Sequence, residues 1–121
     1  MALSRIRLEL SRTGGFPAGS PRHGYEFVAP LTDEGLIDVT AWQAAQDKCT
    51  VLRFWGDDAQ EEGKLRYLGH GWRFDYDSKM STDDELLYMM DRHRIAVGDH
   101  LSVTGQDRVQ RPFKIARISP V

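Results

Sequence analysis

Alternation of apolar and charged residues marks the first segment of the chain as a β-strand. Ile6, Leu8 and Leu10 fall on one side of segment 4–10, and the residues between them are charged. A side-chain period of two is typical of a strand that buries one face. The pattern therefore predicts a half-buried strand near the start of the chain.

The segments 64–68 and 71–76 are predicted to form a β-hairpin. They flank Gly69-His70-Gly71, whose glycines supply the positive φ angles that tight hairpin turns require. In the second segment three aromatic residues alternate with polar ones, which places the rings on one face. These aromatic residues are Trp72, Phe74 and Tyr76.

Further strands and one helix follow from the same patterns. Residues 38–48 favour a short helix, expected at about 40–47, with Asp38 or Thr40 as its N-cap. The apolar segment 86–90 is too short for periodicity to distinguish a strand from a helical turn. The other predicted strands are 24–31, 49–55, 100–104 and 109–118, and the predicted loops are 13–24, 56–63, 77–85 and 105–108.

About seven short strands and one short helix predict an all-β, mostly antiparallel fold. We expect a small closed or partly open β-barrel, formed by residues 1–121 as a single domain. Closing the sheet would remove its exposed edges. The predicted core consists of Ile6, Leu8, Leu10, Phe27, Val51, Phe54, Trp72, Phe74, Leu101, Val103, Phe113 and Ile115.

Composition narrows the class of protein further. The chain has 121 residues, of which 40% are hydrophobic and 28% charged, values that are ordinary for a folded domain. Its single cysteine, Cys49, excludes an intrachain disulfide and a cysteine-based zinc cluster. Because we find neither a signal-peptide pattern nor an apolar run of about 20 residues, we expect a cytoplasmic protein that does not enter a membrane.

Motifs for metal binding or catalysis do not emerge from the sequence. His23, His70, His93 and His100 lack the spacing of metal ligands, so we predict no metal and no other cofactor. The chain also lacks a GxSxG turn, a phosphate-binding glycine loop and a dinucleotide fingerprint. An enzyme is therefore the least favoured class of function.

Arginine and aromatic residues adjoin one another on several predicted strands. Guanidinium groups beside aromatic rings can bind an anionic group or stack on a nucleic-acid base. If paired strands bring these side chains to one face, they form a single surface, which the long loop before residue 24 could complete. The candidate ligand-binding residues are Arg22, His23, Arg53, Trp55, Arg66, Tyr67 and Arg73.

The same residues also fit a purely structural interpretation. The arginines would then face outward and pair across the sheet with acidic residues such as Glu26 and Asp75. A net charge of −2 argues against a broad basic surface and favours this interpretation. In the long loop, Phe16 and Pro17 fit a plug for the barrel end, while Arg22 and His23 fit a ligand contact.

The resulting functional hypothesis is a non-catalytic binding or regulatory module that recognises a protein or a small anionic ligand. The alternative is a weak single-stranded nucleic-acid binder that uses an arginine and aromatic sheet face. Nucleic-acid binding would weaken steeply with added salt, whereas an apolar protein interface would not.

Several segments of the chain resemble small uncharacterised bacterial single-domain proteins. The resemblance implies a bacterial cytoplasmic domain and assigns no activity, cofactor or site. The segments that carry it are 19–31, Arg53-Phe54-Trp55, 71–77 and 98–103.

Overall fold

A computed structural model describes residues 3–68, 71–76, 85–87 and 94–121. These residues contain eight strands, a short helix α1 (Val39–Ala44) and a 3-10 turn (Gln46–Lys48). The strands are β1 (Leu3–Leu10), β2 (Ser20–Pro30), β3 (Thr50–Trp55), β4 (Glu61–Leu68), β5 (Gly71–Tyr76), β6 (Glu85–Leu87), β7 (His100–Thr104) and β8 (Gln110–Pro120).

The eight described strands form a closed antiparallel barrel. Each strand pairs with the next one along the chain, and β8 pairs with β1. Closure gives both edges of every described strand a partner, so no open sheet edge is left among them to aggregate. The predicted all-β barrel with one short helix is confirmed.

Alternate side chains of each strand fill the barrel interior. Of the twelve predicted core residues, all but Phe54 are buried. Phe54 lies on the outer face of β3, where the guanidinium of Arg7 covers its ring at 4.4 Å. The inward-facing residues of β3 are Val51, as predicted, together with Arg53 and Trp55, so the prediction is wrong for Phe54.

Two strands are longer than the sequence predicts. β2 begins at Ser20 rather than at residue 24, and β4 begins at Glu61 rather than at residue 64. Pairing with neighbouring strands extends both into segments whose glycines and acidic residues suggested loops. Gly24 shows why: a Cβ there would lie 1.9 Å from the carbonyl oxygen of Leu8, so only glycine allows β1 and β2 to approach this closely.

The helix α1 covers one end of the barrel. Asp38 caps it, because its Oδ1 accepts a hydrogen bond from the Ala41 N–H at 3.0 Å. The buried Trp42 donates its indole N–H to the Leu65 carbonyl and packs edge-on against Trp72, with ring centroids 5.3 Å apart. The helix ends at Ala44, earlier than predicted, and continues as the 3-10 turn.

The position of Glu85 differs from the prediction. It was predicted at the end of an acidic loop, but it begins β6 and is completely buried. The ambiguous segment 86–90 contributes Leu86 and Leu87 to this strand. Several predicted features lie outside the described residues, namely the turn residues Gly69 and His70, the acidic segment 77–84, the apolar residues 88–90 and His93.

Candidate functional site

The predicted arginine surface is not formed as expected. Arg53 pairs with Tyr25 on β2 and with Glu61 on β4, and it therefore faces the interior. Arg66 and Arg73 pair directly with each other on β4 and β5, on the outer face. The prediction that all three share one surface is wrong, because Arg53 and Arg66 stand on opposite faces of the barrel wall.

Arg66 faces outward and pairs with an acidic residue across the sheet, as the structural interpretation predicts. Its Nε lies 3.0 Å from Asp75 Oδ2 on the neighbouring strand. Tyr67 points inward at the opposite end from Arg53, with its ring centroid 4.7 Å from that of Trp72. These residues therefore belong to the wall and the core at the helix-covered end, away from Arg53.

A cavity of about 170 Å³ opens at the other end of the barrel and brings together residues from five strands and one turn. We call it the mouth cavity. Its lining consists of Tyr25, Arg53, Trp55, Glu85, Val103, Gly105, Gln106, Asp107, Arg111 and Phe113. A groove of about 370 Å³ on the outer face, near Arg5 and Leu52, is larger. The mouth cavity is the stronger candidate because buried polar groups converge in it, as they do in ligand sites.

Trp55 is surrounded by cationic and aromatic groups. The guanidinium carbons of Arg53 and Arg111 lie 4.8 and 5.7 Å from its ring centroid. Cation–π contacts of this kind contribute about 0.5–2 kcal/mol each, more where water is excluded. They place two guanidinium groups, one from β3 and one from β8, beside one indole ring.

Glu85 is the buried acid of the mouth cavity. Its carboxylate accepts hydrogen bonds from Tyr25 Oη at 3.0 Å and from Tyr76 Oη at 2.5 Å. Arg53 Nε lies 3.7 Å from the same carboxylate. Burial raises the pKa of Glu85 above its ordinary value, although the two tyrosine donors and Arg53 oppose this shift.

Burial and the nearby Glu85 also raise the pKa of Tyr25 and Tyr76 far above the usual tyrosine range. Both hydroxyls therefore remain protonated and act as donors. Sequence reasoning missed Glu85, yet one signal was present: it stands two positions before Leu87, on the same side of the strand.

Arg53 has an incomplete set of hydrogen-bond partners. Its Nη1 donates to Glu61 Oε2 at 3.2 Å. Its Nε is buried and has no hydrogen-bond acceptor among the residues that the structure describes. The Glu85 carboxylate, 3.7 Å away, forms an ion pair with this group but is too distant for a hydrogen bond, so the N–H would gain from an acceptor in the cavity.

The turn between β7 and β8 supplies the rim of the cavity. Asp107 pairs in bidentate geometry with Arg111, with Nη1–Oδ1 at 3.1 Å and Nη2–Oδ2 at 2.7 Å. The hydrogen bonds from Arg111 lower the pKa of Asp107 to about 2. Gln106 donates to Glu61 at 3.3 Å and ties the turn to β4.

His23 reaches the edge of the mouth cavity, and Arg22 does not. His23 pairs with Trp55 across β2 and β3, with ring centroids 4.8 Å apart. Burial, followed by the neighbouring Arg22, lowers the pKa of His23, which keeps the ring neutral at pH 7. Arg22 is exposed and pairs with the exposed Asp57.

The long first loop meets the barrel through Phe16. Its ring is partly buried against the core and lies 4.6 Å from that of His23. Pro17 is exposed. Phe16 therefore packs onto the barrel, whereas Pro17 does not contribute to the predicted plug.

Metal-binding residues do not cluster in the described part of the chain, where no group of three or more His, Cys, Asp or Glu side chains could hold an ion. The thiol of Cys49 is buried, and burial raises its pKa. Of the helices in the described residues, none has the length and apolar character needed to cross a membrane.

Comparison of the chain with protein-family models, with curated proteins and with solved structures gives no match. The fold and the mouth cavity therefore carry the functional argument.

Proposed function

We propose that this protein is a non-catalytic binding module that takes a small anionic ligand in the mouth cavity. The observation that carries the proposal is the buried Nε–H of Arg53, which lines the cavity and lacks an acceptor among the described residues. A carboxylate in the cavity would satisfy this donor through a charge-assisted hydrogen bond, which is about twice as strong as a neutral one.

The volume and the lining of the cavity restrict the size and the chemical class of the ligand. A volume of about 170 Å³ corresponds to roughly five or six water molecules at ~30 Å³ each. The lining combines apolar contacts from Val103 and Phe113 with the guanidinium groups of Arg53 and Arg111. This combination suits a small planar acid, in which an anionic group meets an arginine and an apolar part packs beside it.

The alternative function, binding of single-stranded nucleic acid, relied on an arginine and aromatic face on the outside of the sheet. Arg53 and Trp55 face the barrel interior, so they cannot present an arginine and aromatic sheet face to a strand of DNA or RNA. A cavity of this size also lacks the extended groove that a single strand follows. Small-anion binding is therefore the function that we propose.

The experiment compares benzoate with benzamide, which has the same shape but no charge. Titration calorimetry and amide NMR at low salt should show that benzoate binds and that benzamide binds at least tenfold more weakly. Arg53→Gln should weaken benzoate binding at least tenfold, because it removes a donor from the cavity. Arg66→Gln is the matched control, since Arg66 lies on the outer face of the same barrel.

Arg111→Gln serves as a second cavity variant if Arg53→Gln destabilises the fold. Equal benzoate binding by wild type and both cavity variants would overturn the proposal. So would the absence of binding for benzoate, acetate and inorganic phosphate to folded wild-type protein.

A further inference from the structure

We propose that Asp107 is a built-in competitor for the ligand, which must displace this carboxylate from Arg111 to bind. This inference rests on the proposed function. It specifies the ligand as a carboxylate that can match the bidentate geometry of the Asp107 side chain.

The contact between Asp107 and Arg111 already has the geometry of a bound carboxylate. Both carboxylate oxygens meet the same guanidinium, at 3.1 and 2.7 Å. Both residues line the mouth cavity. A ligand carboxylate that approaches Arg111 therefore meets a site that the protein's own carboxylate occupies.

Of the carboxylates around the cavity, Asp107 is well suited to leave. Its side chain is 51% exposed, so water can solvate it once it separates from Arg111. Glu85 is fully buried and holds two tyrosine hydroxyls, so its release would leave buried donors without an acceptor. An exposed ion pair contributes little stability, so its exchange for a ligand carboxylate is inexpensive.

The local backbone brings this ion pair close to the buried acid. A Cβ on Gly105 would lie 3.1 Å from Asp107 Oδ1, 3.4 Å from Arg111 Nη1 and 3.5 Å from Glu85 Oε2. Gly105 therefore sits where the exchangeable carboxylate, the arginine and the buried acid meet. A side chain at this position would narrow the space that an incoming carboxylate needs.

The central test is Asp107→Asn. Asparagine retains an oxygen that can accept the Val109 N–H, as Asp107 Oδ1 does at 3.1 Å, but it removes the competing charge. We expect benzoate to bind about two- to fivefold more tightly to this variant, the range that an exposed ion pair allows. The matched control is Asp57→Asn, which removes the same charge beside Arg22, outside the cavity lining, and should leave the affinity unchanged.

Gly105→Ala provides an independent variant that leaves the charges in place. Its methyl group would meet both Asp107 Oδ1 and Arg111 Nη1, so we expect the affinity for benzoate to change about threefold or more. An unchanged affinity would contradict binding of the ligand at this meeting point.

The outcomes separate the two proposals. Tighter binding by Asp107→Asn but not by Asp57→Asn supports displacement, and so does binding that only Asp107→Asn shows. If wild type binds benzoate and Asp107→Asn binds it equally or more weakly, displacement is overturned and small-anion binding stands. If neither folded protein binds benzoate, acetate or phosphate, both proposals are overturned.

Discussion

The two ends of the barrel interior each contain a tryptophan, but the rings meet different neighbours. At the helix-covered end, Trp72 is completely buried and packs against the rings of Trp42 and Tyr67. At the mouth, Trp55 is only partly buried and lies beside the guanidinium groups of Arg53 and Arg111. Inward-facing strand positions thus hold packed aromatic rings at one end of the barrel and charged groups at the other end.

Because of this difference, we expect the helix-covered end to contribute mainly to the stability of the fold and the mouth to contribute mainly to the proposed binding. Burying an aromatic ring among other rings stabilises the fold through removal of apolar surface from water. Burying Glu85 and placing Arg53 beside it costs desolvation free energy that their attraction only partly offsets. Proteins retain such costly groups most often where they bind or react, which is why we propose the mouth as the binding end.

The largest expected effect compares the two tryptophans. Trp72→Ala should lower the free energy of unfolding by about 3–5 kcal/mol, because it leaves a cavity in the closely packed end. Trp55→Ala should cost only about 1–2 kcal/mol, since its ring is partly exposed, but it should weaken benzoate binding. Urea unfolding with matched m-values measures both. A loss below about 1 kcal/mol for Trp72→Ala would show that the two ends do not differ in this way.

An effect of intermediate size is the pH dependence of the free energy of unfolding, which comes from Glu85 at the mouth. Because burial raises the pKa of Glu85, the stability linked to its protonated form is fully present below the ordinary glutamate pKa of about 4.3 and is lost as pH rises through the raised pKa. Glu85→Gln cannot ionise. Relative to this variant, wild type should therefore lose stability as the pH rises above about 4.3, until Glu85 is fully ionised in the folded protein.

Chemical unfolding of both proteins at several pH values gives this difference directly, since contributions from all other groups cancel. A difference in unfolding free energy that stays constant with pH would contradict the raised pKa of Glu85.

The smallest effect concerns the helix that covers the apolar end. Asp38→Ala removes the acceptor for the Ala41 N–H and should cost about 1 kcal/mol. Thr40→Ala, at an exposed position inside the helix, should change the stability by less than about 0.5 kcal/mol. Thermal unfolding that ranks these two variants in the opposite order would show that Asp38 is not the operative cap.

The comparison also shows what the sequence alone could predict. Alternation placed β5 at Gly71–Tyr76 and β7 at His100–Thr104, because each has one apolar face. It failed at β3, where hydrophobicity favours Phe54 inside and Arg53 outside. The interior partners of Arg53 lie on other strands, and local patterns do not contain that information.

The candidate site was predictable to a similar extent. Arg53, Trp55 and His23 were selected from their residue types, and the structure brings them together. Glu85 was missed because it ends an acid-rich segment that is typical of a solvated loop, and Asp107 because it stands in a predicted turn. Their role depends on how β6 and β8 meet β3 through the barrel interior, which only the tertiary structure shows.

The pairing of β1 with β8 has a consequence for how the chain folds. Strands that follow one another along the chain close much shorter loops than the pairing of the first strand with the last. The β1–β8 pairing instead joins residues such as Leu8 and Ile115, which are far apart in the sequence. A topology completed by such a distant contact folds slowly, on the millisecond-to-second scale typical of β-barrels. Because the lining of the mouth cavity extends from β2 to β8, we expect the cavity to assemble only once the β1–β8 pairing has formed.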